Sequence, residues 1–278
     1  MPLLLKPVEP SRGLRWIGDA FRLFGRKPLA FTALFAVFLF SASLVALVPV
    51  LGTVVQLVAL PLVSLGFMVA GQSALLDGPV HPRQYIEPLR GDPQRRRALI
   101  TLSLLYGLLA LCILMVADAA SDSAFRRMQE LMAQSSGPST PGTPEAAMAA
   151  PEGIGTAVLL VMGLGTLLSV PFWHAAALVH WGGQGVQQAL FSSTVAVWRS
   201  KGAFLVYLSS WVGLMFLFGI VGATLFALLG LPQMVGVLVV PGLMVFSAVF
   251  YLSVLFTFND SFGGSPPRAA DEPPPPDA

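Results

Sequence analysis

The stretch ALITLSLLYGLLALCILMVA, residues 98–117, decides the fold class of this protein. It contains no charged side chain, and it is bounded by Arg95-Arg96-Arg97 on one side and by Asp118 on the other. An α-helix needs about 20 predominantly apolar residues to cross the hydrocarbon core of a bilayer. We therefore predict that this stretch is a transmembrane helix.

Five further stretches have the same apolar character. The chain of 278 residues is 55% hydrophobic and 11% charged, whereas a soluble globular domain is about 25% charged. Lipid is the solvent that accommodates such a surplus of apolar side chains. We predict an all-α, polytopic membrane protein with six transmembrane helices. Together with 98–117, the predicted spans are 29–48, 51–76, 154–181, 203–229 and 235–258.

The basic residues predict how these spans are oriented. Six spans divide the chain into seven pieces, and fourteen of the sixteen Lys and Arg residues fall in the odd-numbered pieces. Only Arg126 and Arg127 fall elsewhere. Because positive residues in short loops stay on the cytoplasmic side, we predict a multi-pass protein of the bacterial inner (cytoplasmic) membrane. Both termini are expected in the cytoplasm and the loop 119–153 outside. No piece forms a basic domain, so we expect no nucleic-acid partner.

Residues 1–28 are predicted to be a cytoplasmic amphipathic segment. Apolar and basic side chains separate onto two faces of a helix over 12–27, a pattern typical of helices that lie in the membrane interface. Basic residues there favour anionic headgroups by roughly 1 kcal/mol each. The simpler alternative is that they are ordinary positive anchors, and the two interpretations are compatible. The side chains that we expect at the lipid surface are Arg15, Trp16, Arg22, Arg26 and Lys27.

The remaining organisation is predicted from two features. A second interfacial amphipathic helix is expected at 187–200, and it again precedes a hairpin of two spans. This repetition favours a 3+3 pseudo-repeat, although similar demands on interface helices would produce the same pattern. The six-span membrane domain is predicted to cover 29–258. The tail 259–278 is rich in proline and is predicted to be disordered and cytoplasmic.

Three polar side chains inside the predicted spans form a candidate intramembrane polar site: Gln56, His174 and His180. Ionisable groups are costly in lipid, so they often mark function. On a helix the two histidines point about 120° apart, so one metal ion cannot bind both without other ligands. The alternative is structural, with His174 hydrogen-bonded across helices and His180 beside Trp181 in an interfacial aromatic belt. We expect no catalytic residue, metal or cofactor.

Loose motifs between residues 11 and 258 point to a known family. They are the run Gly13-Leu14-Arg15-Trp16-Ile17, the loop Leu89-Arg90-Gly91 and the segment Pro171-Phe172-Trp173-His174 of span four. On these motifs the chain resembles an uncharacterised family of proteobacterial inner-membrane proteins. The resemblance implies a six-span inner-membrane protein of unknown function, and it supplies no catalytic or binding residues.

The function is predicted mainly from the absence of catalytic motifs and of acidic residues within the spans. We predict a non-enzymatic scaffold or accessory protein, and we expect its partners to be anionic membrane lipids and another membrane protein. The alternative is a transporter or channel for a neutral or lipidic solute. Prolines at positions 61, 171 and 241 favour this alternative, because transporters place their substrate sites at breaks in membrane helices.

Overall fold

A computed structural model describes residues 5–48, 50–123, 126–127, 153–231 and 234–263. Most of the predicted outside loop, and the predicted disordered tail beyond residue 263, lie outside these residues. Within them the fold is all-helical, as predicted, and six spans are long and apolar enough to cross a membrane. The helices are α1 (Arg12–Arg26), α2 (Pro28–Ala46), α3 (Leu51–Leu75), α4 (Pro93–Ala120), α5 (Ile154–Phe172), α6 (Ala175–His180), α7 (Val186–Arg199), α8 (Lys201–Leu228) and α9 (Val235–Phe262).

The spans begin and end where the sequence provides helix signals. Pro28 and Pro93 occupy the first turns of α2 and α4, where a missing N–H leaves no helical hydrogen bond unmade. Asp92 caps α4, because its carboxylate accepts a hydrogen bond from the backbone N–H of Gln94 at 3.2 Å. Helices α5 and α6 together form the fourth span.

Large apolar side chains cover the outside of the helical bundle. On α8, for example, Val212 is 71% exposed and Phe216 is 70% exposed. A soluble monomer rarely exposes large contiguous apolar patches. The outer surface is therefore suited to hydrocarbon, in agreement with the hydropathy of the spans.

One end of the bundle brings together the basic termini of the spans, and we call it the basic end. Lys27 Nζ donates to the backbone carbonyl oxygen of Gly78 at 2.6 Å, which joins the start of α2 to the end of α3. Arg95 Nη1 donates to the carbonyl oxygen of His180 at 3.2 Å, which joins the start of α4 to the end of α6. The segment before α1 bonds to the start of α8 and to the end of α9. Consecutive spans thus run in opposite directions through the bundle, as the predicted topology requires.

Helices α3 and α9 form the centre of the bundle. One buried cluster joins them to α1, α2 and α8, and a second joins them to α4, α6 and α7. The order of elements in α1–α2–α3 recurs in α7–α8–α9, each with a proline inside its last helix, at Pro61 and Pro241. However, α1 packs against α8 and α9, whereas α7 packs against α5 and α6. The two units therefore have different neighbours, and the 3+3 pseudo-repeat stays a prediction.

Candidate functional site

Helix α1 is attached to the end of α9 by a single carboxylate. Asp260 accepts hydrogen bonds from Arg12 Nε at 2.7 Å, from Arg12 Nη2 at 3.0 Å and from Trp16 Nε1 at 2.7 Å. The hydrogen bonds that Arg12 donates to Asp260 raise the pKa of the Arg12 guanidinium. The predicted end of the sixth span at residue 258 was too early, because α9 continues through Asp260 to Phe262. Gly263, with φ of 66°, supplies the left-handed residue that commonly ends a helix.

The prediction that Trp16 contacts lipid was wrong. Trp16 has no exposed surface, and its ring centroid lies 5.4 Å from that of Phe204 and 5.8 Å from that of Tyr207. Most of the apolar face of α1 packs on α8 and α9 instead of facing hydrocarbon. The physical reason is that the indole N–H needs an acceptor when it is buried, and Asp260 of the protein provides one that hydrocarbon lacks.

Gly13 permits this close packing of α1 on α8. A Cβ atom at Gly13 would lie 2.8 Å from the backbone nitrogen of Tyr207 and would also collide with the carbonyl oxygen of Ala203. Both obstacles are backbone atoms, which cannot rotate away as a side chain can. Small residues at such crossings let membrane helices approach closely. Helix α1 is thus part of the bundle, with its polar face and the apolar side chain of Leu14 left outward.

The outward face of α1 is basic. Arg15, Arg22 and Arg26 are exposed, as the interfacial prediction requires. Arg15 has no hydrogen bond or ion pair within the described part of the chain, whereas Arg22 Nη1 lies 3.1 Å from Asp19 Oδ1. Arg12, Arg15 and Arg22 line a depression at Gly18 together with Asp19. The depression is therefore a positively charged surface with one guanidinium free of protein partners.

An apolar groove adjoins this depression at Gly18. The groove has a volume of about 460 Å³ and runs between α1 and α8. Leu14 and Phe21 line it from α1, and Leu214 and Leu217 line it from α8. A basic surface and an apolar surface thus adjoin each other along one side of α1. Their arrangement is that of the charged headgroup and the apolar acyl chain of a phospholipid.

Lys27 was also predicted to contact lipid, but the protein binds its ammonium group. Lys27 Nζ donates to the carbonyl oxygens of Asp77 at 3.2 Å and of Gly78 at 2.6 Å. These carbonyls follow the last turn of α3, where helical partners are lacking. Lys27 therefore caps the C-terminal end of α3, and at most one of its three N–H groups remains for a hydrogen bond to a lipid.

His174 lies at a break between α5 and α6, three residues after Pro171. The imidazole has no exposed surface. Its backbone N–H donates to Ser193 Oγ at 3.0 Å, and its Nε2 lies 3.1 Å from Thr257 Oγ1. Thr257 Oγ1 also accepts from Trp173 Nε1 at 3.2 Å. His174 thus bonds across helices to α7 and α9, at the place where the proline interrupts the helical hydrogen bonds.

The hydrogen bonds of Thr257 determine which ring nitrogen of His174 carries the proton. The Thr257 hydroxyl donates to the carbonyl oxygen of Val254 at 2.8 Å, so its oxygen can only accept from His174, and Nε2 carries the proton. Nδ1 is then a buried acceptor, and no described residue donates to it. The aromatic rings around the imidazole belong to Phe204, Phe258 and Phe262.

The structure does not bring the three predicted intramembrane polar residues together. His180 is half-buried beside Trp181 at the basic end, with ring centroids 5.6 Å apart. Gln56 Nε2 donates to the carbonyl oxygen of Ala42 at 2.9 Å and ties α3 to α2. Among the described residues, no three His, Cys, Asp or Glu side chains are grouped so that they could hold a metal ion.

A cavity that the sequence did not predict lies between α3, α4, α5 and α9. It has a volume of about 200 Å³ and is open towards the outside of the bundle. Pro61 lines the cavity, but the predicted break there is absent, because α3 continues through it. Phe172, next to Pro171, also lines the cavity, and the fourth span is interrupted directly after it. Tyr106 and Tyr251 contribute aromatic rings with hydroxyl groups.

Sequence reasoning missed Asp260, Tyr106 and Tyr251. Asp260 was assigned to the tail because a charge normally ends an apolar span, although Gly263-Gly264 could have indicated a later helix end. Each tyrosine lies alone in an apolar run, where it is indistinguishable from a packing residue. The fact that both face one cavity depends on how α4 and α9 are placed, which no local pattern encodes.

Comparison with known proteins finds a bacterial relative. A "probable inner membrane protein" of Burkholderia thailandensis is 31% identical over 265 residues, which cover 94% of this chain and 95% of that protein. No family model matches the chain, and no solved structure matches it.

Proposed function

Since this chain belongs to the same family of inner-membrane proteins as the Burkholderia protein, we propose that it is a non-enzymatic accessory protein that binds anionic phospholipid through α1. The observation that carries the proposal is the junction at Gly18, where the basic depression and the apolar groove meet. A phosphate group would contact Arg15, and an acyl chain would lie against Leu14 and Leu217. A protein partner remains a further prediction.

Two properties of α1 support lipid binding. Arg15 is an exposed guanidinium without a protein partner in the described chain, and guanidinium groups bind phosphate with paired hydrogen bonds. The buried contacts of Trp16 also hold the helix in one position. A fixed site loses less conformational entropy on binding than a mobile segment does. The bundle therefore presents the basic face as a preformed surface.

Replacing Gly18 with leucine tests this surface. A Cβ atom at Gly18 meets nothing within 4 Å, so the new side chain should fill the junction without disturbing the core. We expect Gly18→Leu to lower the preference for phosphatidylglycerol over phosphatidylcholine by about tenfold, since it removes contacts of about 1.4 kcal/mol. Native mass spectrometry of the purified chain with each lipid measures this preference.

Gly25→Leu is the matched control, because Gly25 lies on the same helix and also has nothing within 4 Å of an added Cβ. Both substitutions raise helix propensity equally, so only the position relative to the groove differs. Gly25→Leu should retain the wild-type lipid preference. If Gly18→Leu also retains it, or if the wild type shows no preference for phosphatidylglycerol, the proposed lipid site is wrong.

The orientation of the protein is part of this proposal, with the basic end and both termini in the cytoplasm. The support is the positive-inside rule applied to exposed residues such as Arg96 and Arg97. In a Cys112→Ser background, Leu231→Cys should react with an impermeant maleimide in intact inner-membrane spheroplasts. Arg96→Cys should react only after the membrane is opened. The reverse pattern would show the opposite orientation.

A second candidate function is transport of a neutral or lipidic solute. The cavity favours it, because Pro61 and the interruption of the fourth span after Phe172 both border the cavity, and transporters place their sites at such interruptions. Transport requires the cavity to bind the solute. A cavity that binds no uncharged molecule would therefore rule out this candidate.

A further inference from the structure

The cavity between α3, α4, α5 and α9 lies far from both membrane surfaces. Tyr251 is about three helical turns, or roughly 17 Å, from the end of α9 at Phe262. Tyr106 is a similar distance from the start of α4 at Pro93. Because the hydrocarbon core is about 30 Å thick, the cavity faces the middle of the bilayer, where water does not satisfy polar groups.

Three hydroxyl groups line this cavity without a hydrogen-bond partner. They belong to Ser64, Tyr106 and Tyr251, and nothing in the described part of the chain bonds to any of them. By contrast, the hydroxyl of Tyr207 bonds to Ser253 Oγ at 2.6 Å, and that of Tyr85 donates to the carbonyl oxygen of Leu34 at 2.9 Å. An unpaired hydroxyl in an apolar medium costs several kcal/mol. Three such groups are therefore available to pair with a molecule that enters the cavity.

The walls of the cavity are aromatic and held in place. Tyr251 stacks on Phe67 with ring centroids 5.1 Å apart and an interplanar angle of 12°. Tyr106 packs edge-on against Phe172, also at 5.1 Å. Because neighbouring rings fix both phenols, the two hydroxyls are pre-organised for a ligand. Flat aromatic walls favour a flat ring as their occupant.

We propose that this cavity binds the head of an uncharged, lipid-soluble molecule of the quinone class, whose ring carbonyls accept hydrogen bonds from Tyr106 and Tyr251. No Lys, Arg, Asp or Glu lines the cavity, so a charged head would be desolvated without compensation. The ester carbonyls of a phospholipid lie near the interface, not at this depth. A volume of about 200 Å³ accommodates a head group and leaves the apolar tail in the bilayer.

The site is distinct from the lipid surface on α1, and the proposal holds whether or not the molecule crosses the membrane. Decylubiquinone is a suitable probe, and decylbenzene is the matched molecule that has the ring and the chain but no carbonyl groups. Native mass spectrometry of the full chain in detergent counts bound probe. The decisive variant is Tyr106→Phe/Tyr251→Phe, which removes both hydroxyls and keeps both rings.

We expect the wild type to bind one decylubiquinone saturably and the double variant to bind it at least about tenfold more weakly, since two hydrogen bonds are lost. Tyr85→Phe is the control for loss of a tyrosine hydroxyl elsewhere, and it should bind like the wild type. The double variant should melt at or above the wild-type temperature, because its missing hydroxyls had no partners. Absence of one-to-one binding, equal binding of decylbenzene, or equal binding by the double variant would overturn the proposal and leave an acyl chain as the occupant.

Discussion

Replacing Asp260 with alanine is expected to lower the free energy of unfolding by about 2–4 kcal/mol, because several charge-assisted hydrogen bonds are lost at once. Asp260 accepts from two nitrogens of Arg12 and from the indole N–H of Trp16. Since Trp16 is fully buried, its N–H would be left without an acceptor. Unfolding in mixed detergent micelles, followed by circular dichroism, measures the change.

Asp19→Ala is the matched control for this prediction. Asp19 also pairs with an arginine, but Arg22 in that pair is 83% exposed, and exposed pairs contribute little to stability. We expect no more than about 0.5 kcal/mol from this substitution. Trypsin gives a second measure, because loosening of α1 in Asp260→Ala should speed cleavage at Arg15 and Arg22. Equal stability of the two variants would contradict the role assigned to Asp260.

Replacing Gly107 with leucine is expected to have a comparably large effect, a destabilisation of about 3 kcal/mol or more, since overpacking against backbone cannot be relieved by rotamer changes. Gly107 lies where α4 crosses α3. A Cβ atom there would lie 3.1 Å from both the nitrogen and the Cα of Val58. The two spans would have to separate, and the same unfolding assay measures the loss.

Gly163→Leu provides the comparison for Gly107→Leu. Gly163 lies within α5 and has nothing within 4 Å of an added Cβ, so a leucine there should be tolerated. The difference between the variants then reports the contact between spans and not the general effect of adding leucine to a membrane helix. A mild effect at Gly107 would mean that α3 and α4 are not in tight contact at Val58.

Most of the fold could be predicted because the signals are local. Twenty apolar residues in series require a spanning helix wherever they occur in the chain, so the six spans were predicted to within a few residues apart from α4 and the end of α9. The two amphipathic helices were also predicted, at 12–27 and 187–200, where the structure has Arg12–Arg26 and Val186–Arg199. The end of α9 was predicted too early. A carboxylate normally ends an apolar span, but Asp260 lies within α9 because it accepts hydrogen bonds from Arg12 and Trp16 of α1.

The candidate site was less predictable, because periodicity identifies which residues share a face but not what covers that face. The exposed arginines of α1 were predicted, since a charge without a partner tends to remain in water. Trp16 was assigned to lipid, because an apolar face looks the same whether hydrocarbon or another helix covers it. His174 was correctly singled out as a buried polar group, yet its partner Thr257 lies far along the chain.

The sequence by itself determined that the protein lies in lipid, how many spans it has, and that its basic residues collect at one end of those spans. These follow from the free energy of moving each segment between water and hydrocarbon, which depends on composition and length. Only the tertiary structure decided that α1 belongs to the bundle and that Tyr106 and Tyr251 face one cavity. Both depend on close approach between helices, which is set by shape and hydrogen-bond pairing across distant parts of the chain.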